Sequence, residues 1–213
     1  MVTFHIITLF PETFSYLDAS ILGRAQKGKK IAIKYYNPRD FTTDKHKTVD
    51  DKPYGGGPGM VMKAEPLLKA VAKAKGRKKN VKIIALSTDG ALFTNTYACK
   101  VAKKYKDIIL IAGHYEGIDE RVVKASGAEK ISIGPYILTG GELPAMVIVD
   151  AMARQIKGVL GSGESIEETR ASSPETYTRP DSLTYKGKKY KVPRVLLEGH
   201  HRKIDEWRRK KRG

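Results

Sequence analysis

Apolar residues along the chain alternate between short β-branched runs and longer segments with helical spacing. The short runs predict strands, because β-branched residues bounded by turn residues favour extended backbone. Their regular alternation with helices is typical of an α/β fold with a mainly parallel sheet. The predicted strands are Thr3 to Leu9, Ile31 to Tyr36, Val81 to Leu86, Ile108 to Ala112 and Ile131 to Gly134. The predicted helices run from Pro11 to about Gln26, from Met60 to Lys75, from Thr94 to Tyr105, from Asp119 over a short distance, and from Leu143 to Ile156.

Three of the predicted strands run into loops that contain glycine. The stretch VKIIALSTDG reaches Gly90, DIILIAGHYEGIDER contains Gly113, and ISIGPYILTGGELPA contains Gly140 and Gly141. An ordinary turn would explain each glycine taken alone. If the three strands lie parallel in one sheet, however, their loops meet at its carboxyl edge, where open α/β sheets bind ligands. The three loops together therefore predict a binding pocket.

The residues of the second and third loops indicate what this pocket would hold. Neither a GxxxxGK[ST] phosphate loop nor a GxGxxG dinucleotide motif is present. Residues 113–119 and 132–142 contain no Lys or Arg, yet they carry Glu116, Asp119 and Glu142 in a basic chain. Local acidity suits a cationic ligand with a flat apolar portion. A methyl donor with a sulfonium and an adenine fits this description, and another small cation fits it equally well.

Charge and cysteine content narrow the class of protein. Forty Lys and Arg against 23 Asp and Glu give a formal net charge of +17, which favours a nucleic-acid partner. The chain contains no long apolar span, so no membrane association is expected. The segment MVTFHIITLF lacks the features of a secretion signal. Because Cys99 is the only cysteine, no intrachain disulfide can form, and a cytoplasmic location is expected.

Two segments lack helical or strand periodicity. Residues 39–59 read as a long loop of mixed charges that ends in a glycine cluster, and such loops are usually functional or disordered. Contact with a nucleic-acid backbone and simple solvation both remain open for its cations. After about Lys157 the chain becomes rich in Gly, Ser, Thr and Glu. We therefore expect a first domain over residues 1–157, a flexible linker over 158–180, and a short basic RNA-binding extension over 181–213, with a β-turn at Lys186-Gly187-Lys188.

Several motifs together resemble one known family. The stretches KHKTVDDKPYGGGPGM, AGHYEGIDERV, SIGPYILTGGELPAM, GVLG, YTRP and VLLEGHHRKIDEWR are similar, in matching order, to the bacterial tRNA (guanine-N1-)-methyltransferases. Members of this family methylate the guanosine on the 3′ side of the anticodon, at position 37. The resemblance implies a trefoil-knotted, SPOUT-like fold and a homodimer whose two active sites each use both subunits. It also implies S-adenosyl-L-methionine as methyl donor, tRNA as substrate and dependence on Mg²⁺, although the sequence shows no metal-ligand spacing.

The resemblance assigns the methyl-donor contacts to the three glycine loops. In the first loop they fall on Leu86 and Ser87, and in the second on Gly113, Tyr115 and Glu116. In the third loop the implied contacts are Ser132, Ile133, Gly134, Pro135, Tyr136, Ile137, Leu138, Gly140, Gly141 and Pro144. Pro135 stands where the family usually has an acid, and it removes one backbone donor from that loop.

The resemblance also implies catalytic residues, with one departure. Methylation of guanine N1 requires a base for the N1 proton and a cation or donor for the charge that moves to O6. The family's functional arginine corresponds to Arg154, and Asp50 lies in its active-site loop. The family's aspartate base corresponds to Thr169, whose hydroxyl is not a base near neutral pH, so we expect the neighbouring Glu168 to take this role. Asp50 as the base and weakened catalysis are the alternatives.

Two other functions stay open from the sequence. An enzyme of the same fold acting on another atom or RNA is one, because the segment of the base has changed. A non-catalytic RNA-binding relative is the other. Compared with the family, we expect the C-terminal helical region to be shortened after Trp207, with the basic tail over residues 208–212 contributing phosphate attraction.

Overall fold

The structure, a computed structural model, describes residues 1–160 and 175–210 of the chain. The chain divides into two compact units, Met1–Gly161 and Ser162–Gly213. This division falls inside the segment that the sequence predicts to be a linker. No helix in the described part of the chain is long and apolar enough to cross a membrane.

The first unit is built on a five-stranded sheet in which every neighbouring pair is parallel. The strands follow the order β2-β1-β6-β5-β7, so the three strands that carry the predicted glycine loops are neighbours at one side. The sheet strands are β1 (Val2–Ile7), β2 (Ile31–Tyr36), β5 (Val81–Leu92), β6 (Asp107–Ile111) and β7 (Glu129–Ser132), and a separate antiparallel pair is formed by β3 (Asp50–Asp51) and β4 (Val61–Met62). The helices are α1 (Ser20–Lys27), α2 (Ala64–Lys75), α3 (Asn95–Lys104), α4 (Glu120–Ser126) and α5 (Glu142–Arg154), with 3₁₀ helices at Pro11–Asp18 and Pro38–Phe41.

Helices cover both faces of this sheet, and the strand residues alternate between two cores. In β6, Ile108 and Leu110 are buried in the core that includes α1, α3 and α5. Ile109 and Ile111 are buried in the core that includes α2 and α4. Side chains alternate across a strand, so a strand covered on both faces must be apolar at every position. This requirement explains the continuous apolar run IILI.

The predicted first helix is divided in two by a break at Ala19. A 3₁₀ helix ends at Asp18, Ala19 is extended with ψ of 163°, and α1 then begins at Ser20. The carbonyl of Asp18 lies so close to Gly23 that a Cβ there would be 2.1 Å from the oxygen. Helical spacing of the apolar residues continues through the break, so periodicity alone could not show it.

The first glycine loop also differs from its prediction. Strand β5 continues to Leu92 instead of ending at Leu86, with an irregularity in its pairing to β7 between Leu86 and Ala91. A Cβ on Gly90 would lie 2.5 Å from the backbone nitrogen of Ile131, so the two strands approach closely there. The stretch STDG is therefore a bulge within a strand and not a connection to a helix.

The described part of the second unit contains a hairpin and two helices. The hairpin is formed by β8 (Ser182–Tyr185) and β9 (Lys188–Lys191), as the sequence predicted. It is followed by α6 (Arg194–Leu197) and α7 (His201–Lys210). The Lys and Arg side chains of α7 are exposed to the solvent.

Candidate methyl-donor cleft

The bulge of β5 and the loops that follow β6 and β7 meet at one edge of the sheet. They enclose a cleft of about 520 Å³ at this edge of the sheet. The predicted contact residues that line it are Leu86, Ser87, Gly113, Tyr115, Glu116, Ser132, Ile133, Gly134, Tyr136, Ile137, Leu138, Gly140, Gly141 and Pro144. The parallel arrangement thus brings together residues that are as much as 58 positions apart in the chain, between Leu86 and Pro144. Pro135 is exposed and is not among the residues that line the cleft.

The second and third loops are joined through their backbones. The amide of Gly141 donates a 2.7 Å hydrogen bond to the carbonyl of Gly113, and His114 pairs with Gly140 in a single antiparallel bridge. A Cβ on Gly141 would lie 2.7 Å from Cα of Ala112, which is closer than side chains approach backbone. Glycine at position 141 is therefore needed for the two loops to meet.

The second loop is also bonded to the residues that follow the long predicted loop, which form β4 and not the start of the predicted helix. The amide of Glu116 donates to the carbonyl of Met60 at 3.0 Å, and the amide of Met62 donates to the carbonyl of Gly117 at 2.9 Å. Tyr115 has a positive φ of 62°, a conformation that is uncommon outside glycine. These contacts order the loop whose side chains line the cleft.

The third loop gives the cleft its apolar wall. The hydroxyl of Ser132 lies 3.0 Å from the carbonyl of Gly134 and accepts from its amide at 3.3 Å, so the start of the loop is internally bonded. Beyond it, Tyr136 is 52% exposed and Ile137 is 87% exposed. Large side chains that are this exposed beside a cleft offer an apolar surface for a flat ligand or for a protein partner.

Acidic groups outnumber basic ones on the walls of the cleft. The lining acids are Asp89, Glu116 and Glu120, and the lining base is Lys130. Lys130 contacts Glu120 at 2.8 Å and Asp89 at 3.1 Å, which raises the pKa of the lysine. The hydroxyl of Ser87 and then Lys130 lower the pKa of Asp89 below its usual value. The cleft thus keeps an excess of negative charge in a strongly basic chain.

A further carboxylate lies behind the wall of the cleft. Glu142 is buried, with 8% of its surface exposed, and its Oε1 accepts a 2.9 Å hydrogen bond from the hydroxyl of Thr8. Its Oε2 lies 3.7 Å from Nδ1 of His114, and this is the ion pair that Glu142 forms in the described part of the chain. That histidine lines the cleft. A cation bound in the cleft would therefore interact with Glu142 through its electrostatic field and not through direct contact.

The acidity is arranged differently from the sequence prediction. Of the three acids that carried the argument, only Glu116 lines the cleft. Asp119 caps α4 and forms a forked pair with Arg121, which lowers its pKa. Sequence reasoning missed the contributions of Asp89 and Glu120, because the first acid lies in the bulge of β5 and the second on a helix. The aspartate in the stretch STDG, which is Asp89, was the sequence signal that could have predicted an acid in the first loop.

The structure places two predicted catalytic residues outside the cleft wall. Asp50 pairs with Met62 in the β3–β4 ladder, and Met62 pairs with Ile118, which lines the cleft. Asp50 is therefore separated from the cleft by about two strand spacings, which is roughly 10 Å. Arg154 is the last residue of α5. Ten residues of helix separate it from Pro144, which corresponds to about 15 Å. Glu168 and Thr169 lie outside the described residues.

A metal site is not visible among these groups. Within residues 1–160 and 175–210, no cluster of three or more His, Cys, Asp or Glu side chains is arranged to hold an ion. The acids of the cleft are instead paired with lysine or separated from one another.

Comparison with known proteins identifies the family of the chain. A family model described as tRNA (Guanine-1)-methyltransferase TrmD matches residues 2–213. Proteins named tRNA (guanine-N(1)-)-methyltransferase are similar along nearly the whole chain. The relative from Dictyoglomus turgidum is 50% identical over 216 residues, covering 99% of this chain and 84% of its own. The relative from Pseudoalteromonas atlantica is 47% identical over 213 residues, covering 97% and 78%, and one from Coxiella burnetii is 46% identical over 210 residues, covering 96% and 83%. The chain belongs to the tRNA (guanine-1)-methyltransferase family.

Proposed function

We propose that this protein transfers a methyl group from S-adenosyl-L-methionine to N1 of guanosine 37, on the 3′ side of the tRNA anticodon. The observation that carries the proposal is the acidic cleft at the carboxyl ends of three parallel strands, in a chain of this family. Its basic surface elsewhere suits a tRNA substrate, whose phosphates attract Lys and Arg. A cytoplasmic location follows from that substrate.

The walls of the cleft fit the two parts of the methyl donor. Apolar side chains such as Leu86, Ile133 and Leu138 offer a flat surface for an adenine. Asp89 and Glu116 supply negative charge for the sulfonium, with Glu142 behind them. When bound, the donor supplies an electrophilic methyl group on a positively charged sulfur.

The reaction needs two groups that act on the guanine. A carboxylate must accept the N1 proton as the N1–methyl bond forms and the methyl–sulfur bond breaks. We assign this role to Glu168, next to Thr169. A cation must stabilise the charge that moves to O6, and the forked guanidinium of Arg154 suits that role. Asp50 lies in the loop bonded to the cleft wall, and we assign it to contact with the substrate near the cleft mouth.

The position of Arg154 supports an active site shared between two subunits. Arg154 lies at the end of α5 that points away from its own cleft, so we infer that the partner subunit's Arg154 serves it. The exposed side of α5 offers a surface for such a homodimer. Leu143 is 56% exposed and Val147 is 46% exposed, and beside them the hydroxyl of Tyr16 donates a 2.8 Å hydrogen bond to Asp150.

We further assign the trefoil-knotted, SPOUT-like topology of the family to the half of the first unit that forms the cleft. The parallel sheet and the backbone bond between Gly141 and Gly113 are compatible with it. Magnesium dependence also stays a prediction from the family.

A methyl-transfer assay on an unmodified tRNA transcript tests the proposed reaction. We expect transfer to a transcript with G at position 37 and none when that nucleotide is replaced, with mass spectrometry mapping the methyl to N1 of guanine. A methyl on another atom or RNA would overturn the assignment in favour of a different knotted enzyme. Binding of tRNA without binding of the donor, measured by calorimetry, would instead identify a non-catalytic relative.

Substitution of Glu168 tests the identity of the base. Glu168→Gln is expected to abolish turnover and to leave donor affinity unchanged, because the amide is not a base but retains the size of the side chain. Glu167→Gln is the matched control in the adjacent position and should retain turnover. Turnover by Glu168→Gln at the rate of the unaltered protein would exclude Glu168 as the base. The same assay on Asp50→Asn would then test the alternative base.

A further inference from the structure

The hairpin of the second unit exposes an aromatic surface that the proposed reaction does not use. In β8 and β9, Leu183 pairs with Tyr190, and Tyr185 pairs with Lys188. Paired residues of an antiparallel ladder lie on the same side of the sheet, and alternate residues share a face. Leu183, Tyr185, Lys188 and Tyr190 therefore form one face of the hairpin, which we call the aromatic face.

The aromatic face is open and borders a concave surface. Tyr185 is 61% exposed, Leu183 52% and Tyr190 48%. The three side chains line a hollow of about 460 Å³ within the second unit, together with the segment that precedes the hairpin and with Val192. Two tyrosine rings left half exposed on a two-stranded hairpin are not needed for a hydrophobic core.

Basic residues outnumber acids around this face, although Asp181 also lines the hollow. Residues 182–192 contain four lysines and no acid, and residues 175–210 contain eleven Lys and Arg against five Asp and Glu. The ammonium of Lys188 lies 5.6 Å from the ring centre of Tyr190, and that of Lys186 lies 5.6 Å from the ring of Tyr185. Such lysines stay close to the rings while their charges face the solvent.

We propose that the aromatic face binds unpaired nucleotides of the tRNA by stacking bases on Tyr185 and Tyr190, while Lys188 contacts the adjoining phosphate. This combination of exposed aromatic rings and cations is the usual way in which proteins hold single-stranded nucleic acid. An acidic peptide would satisfy the lysines, but it would leave the flat rings without a partner. The inference rests on the proposed function only in naming tRNA as the RNA.

Binding of an unmodified tRNA transcript by hairpin variants of the full chain tests the proposal, measured at several salt concentrations. Tyr185→Ala and Tyr190→Ala should each weaken binding by about five- to 100-fold, which is the effect of removing one base stack. Their salt dependence should match that of the unaltered protein, because no phosphate contact is lost. Tyr185→Phe and Tyr190→Phe should retain binding, since the ring is preserved.

Two lysines on opposite faces provide a matched pair. Lys188→Ala should weaken binding and reduce the slope of log affinity against log salt by about one, as expected for one lost phosphate contact. Lys189 points from the opposite face, beside Thr184. Lys189→Ala should leave both quantities nearly unchanged. Donor affinity, measured by calorimetry, should be the same in all variants and reports that the first unit is intact.

The possible outcomes separate the two proposals. Alanine variants of both tyrosines that bind tRNA as tightly as the unaltered protein would overturn the stacking surface, even if guanosine 37 is methylated. Equal effects of Lys188→Ala and Lys189→Ala, without an effect of the tyrosines, would show general charge attraction and would also overturn it. Tyrosine-dependent binding by a protein that methylates no tRNA would support the surface and refute the proposed reaction.

Discussion

At the scale of single residues, two buried ionisable side chains affect different properties: Glu142 affects ligand binding, and His5 affects stability. Glu142 lies behind the cleft, where a low-dielectric surrounding strengthens its field on a bound cation. His5 lies in the sheet at 1% exposure, far from any reaction. Its Nε2 donates to Asp107 at 2.9 Å, and its Nδ1 accepts from the hydroxyl of Tyr36 at 3.0 Å. A neutral imidazole satisfies both contacts.

Substitution of Glu142 should distinguish the methyl donor from its demethylated product. Glu142→Gln removes the charge, so we expect affinity for S-adenosyl-L-methionine to fall by about three- to tenfold. Affinity for S-adenosylhomocysteine, which lacks the sulfonium charge, should change little. Calorimetry with both ligands measures the difference. Glu65→Gln, at an exposed carboxylate of α2 that pairs with Lys69, is the control, and an equal loss for both ligands would mean that Glu142 is only structural.

Burial of His5 predicts a dependence of stability on pH. Burial lowers the pKa of His5 below its ordinary value of 6.5, although the bond to Asp107 opposes this shift. The unfolded chain therefore binds more protons below pH 6.5, and the contribution of His5 to the free energy of unfolding falls as the pH drops from 6.5 through the lowered pKa. A single group contributes a slope of at most about 1.4 kcal/mol per pH unit.

Denaturant unfolding between pH 5 and pH 8 measures this contribution. His5→Gln should be less stable at pH 8 but should show a flatter pH dependence between pH 6.5 and pH 5, because the titrating group is gone. His46→Gln, at an exposed histidine, should keep the slope of the unaltered protein. An unchanged slope in His5→Gln would assign the pH dependence to other groups.

At the scale of elements, the cleft depends on how closely the loops after β6 and β7 approach. Their contact is made by backbone, so no side chain can be placed between them. Helix α5 starts directly at this contact, with Glu142 in its first turn, where a carboxylate also interacts favourably with the helix dipole. The position of the loops therefore sets the position of the helix and of its buried acid.

Alanine at position 141 should open the cleft. Its Cβ would meet the backbone of Ala112 and Gly113 at 2.7 and 2.8 Å, so the loops must separate. We expect Gly141→Ala to reduce donor affinity at least about tenfold and to lower the free energy of unfolding by about 1–3 kcal/mol. Calorimetry and denaturant unfolding measure the two effects. Gly28→Ala, at a helix end with φ of −77°, should leave donor affinity unchanged.

At the scale of the whole molecule, we propose that the active site is complete only in a dimer. The cleft lies at the start of α5 and Arg154 at its end, and a rigid helix cannot bring them together. A two-fold interface along the exposed side of α5 would supply the arginine from the second subunit. The same interface would cover the apolar residues that this helix exposes.

A charge on the exposed side of α5 should separate the subunits. Val147→Glu is expected to give a monomer and to abolish methyl transfer, because burying an unpaired carboxylate in an apolar interface is costly. Analytical ultracentrifugation measures the mass, and the tRNA assay measures the activity. Leu197→Glu, at an equally exposed leucine of the second unit, should remain dimeric. A dimer of Val147→Glu would place the interface elsewhere.

Mixing Arg154→Ala with Gly141→Ala, at a donor concentration too low for Gly141→Ala to bind the donor, tests whether Arg154 acts on the partner's cleft. Arg154→Ala keeps an intact cleft, and Gly141→Ala keeps an intact arginine. Random exchange of subunits should restore about one quarter of the sites, since half of the dimers are mixed and each has one complete site. No recovery after exchange is confirmed would place the arginine and the cleft in the same subunit.

The sequence by itself determined the class of fold and the segments that form the cleft. Apolar runs such as IILI and the glycines after them depend on local backbone preference and on burial, which a sequence expresses directly. For this reason the parallel sheet and the hairpin at Lys186-Gly187 could be predicted before any coordinates. The fifteen predicted contact residues came instead from the resemblance to the family, and fourteen of them line the cleft.

Only the tertiary structure decided how charge and helices are placed around that cleft. Asp119 was removed from it by Arg121, Glu142 was buried beside Thr8, and Asp89 entered it through a bulge in β5. The break at Ala19 was likewise hidden, because the helical spacing of apolar residues continues through it. The burial of Glu142 and the entry of Asp89 depend on contacts between residues far apart in the chain, and a periodic pattern carries no information about which distant groups become neighbours.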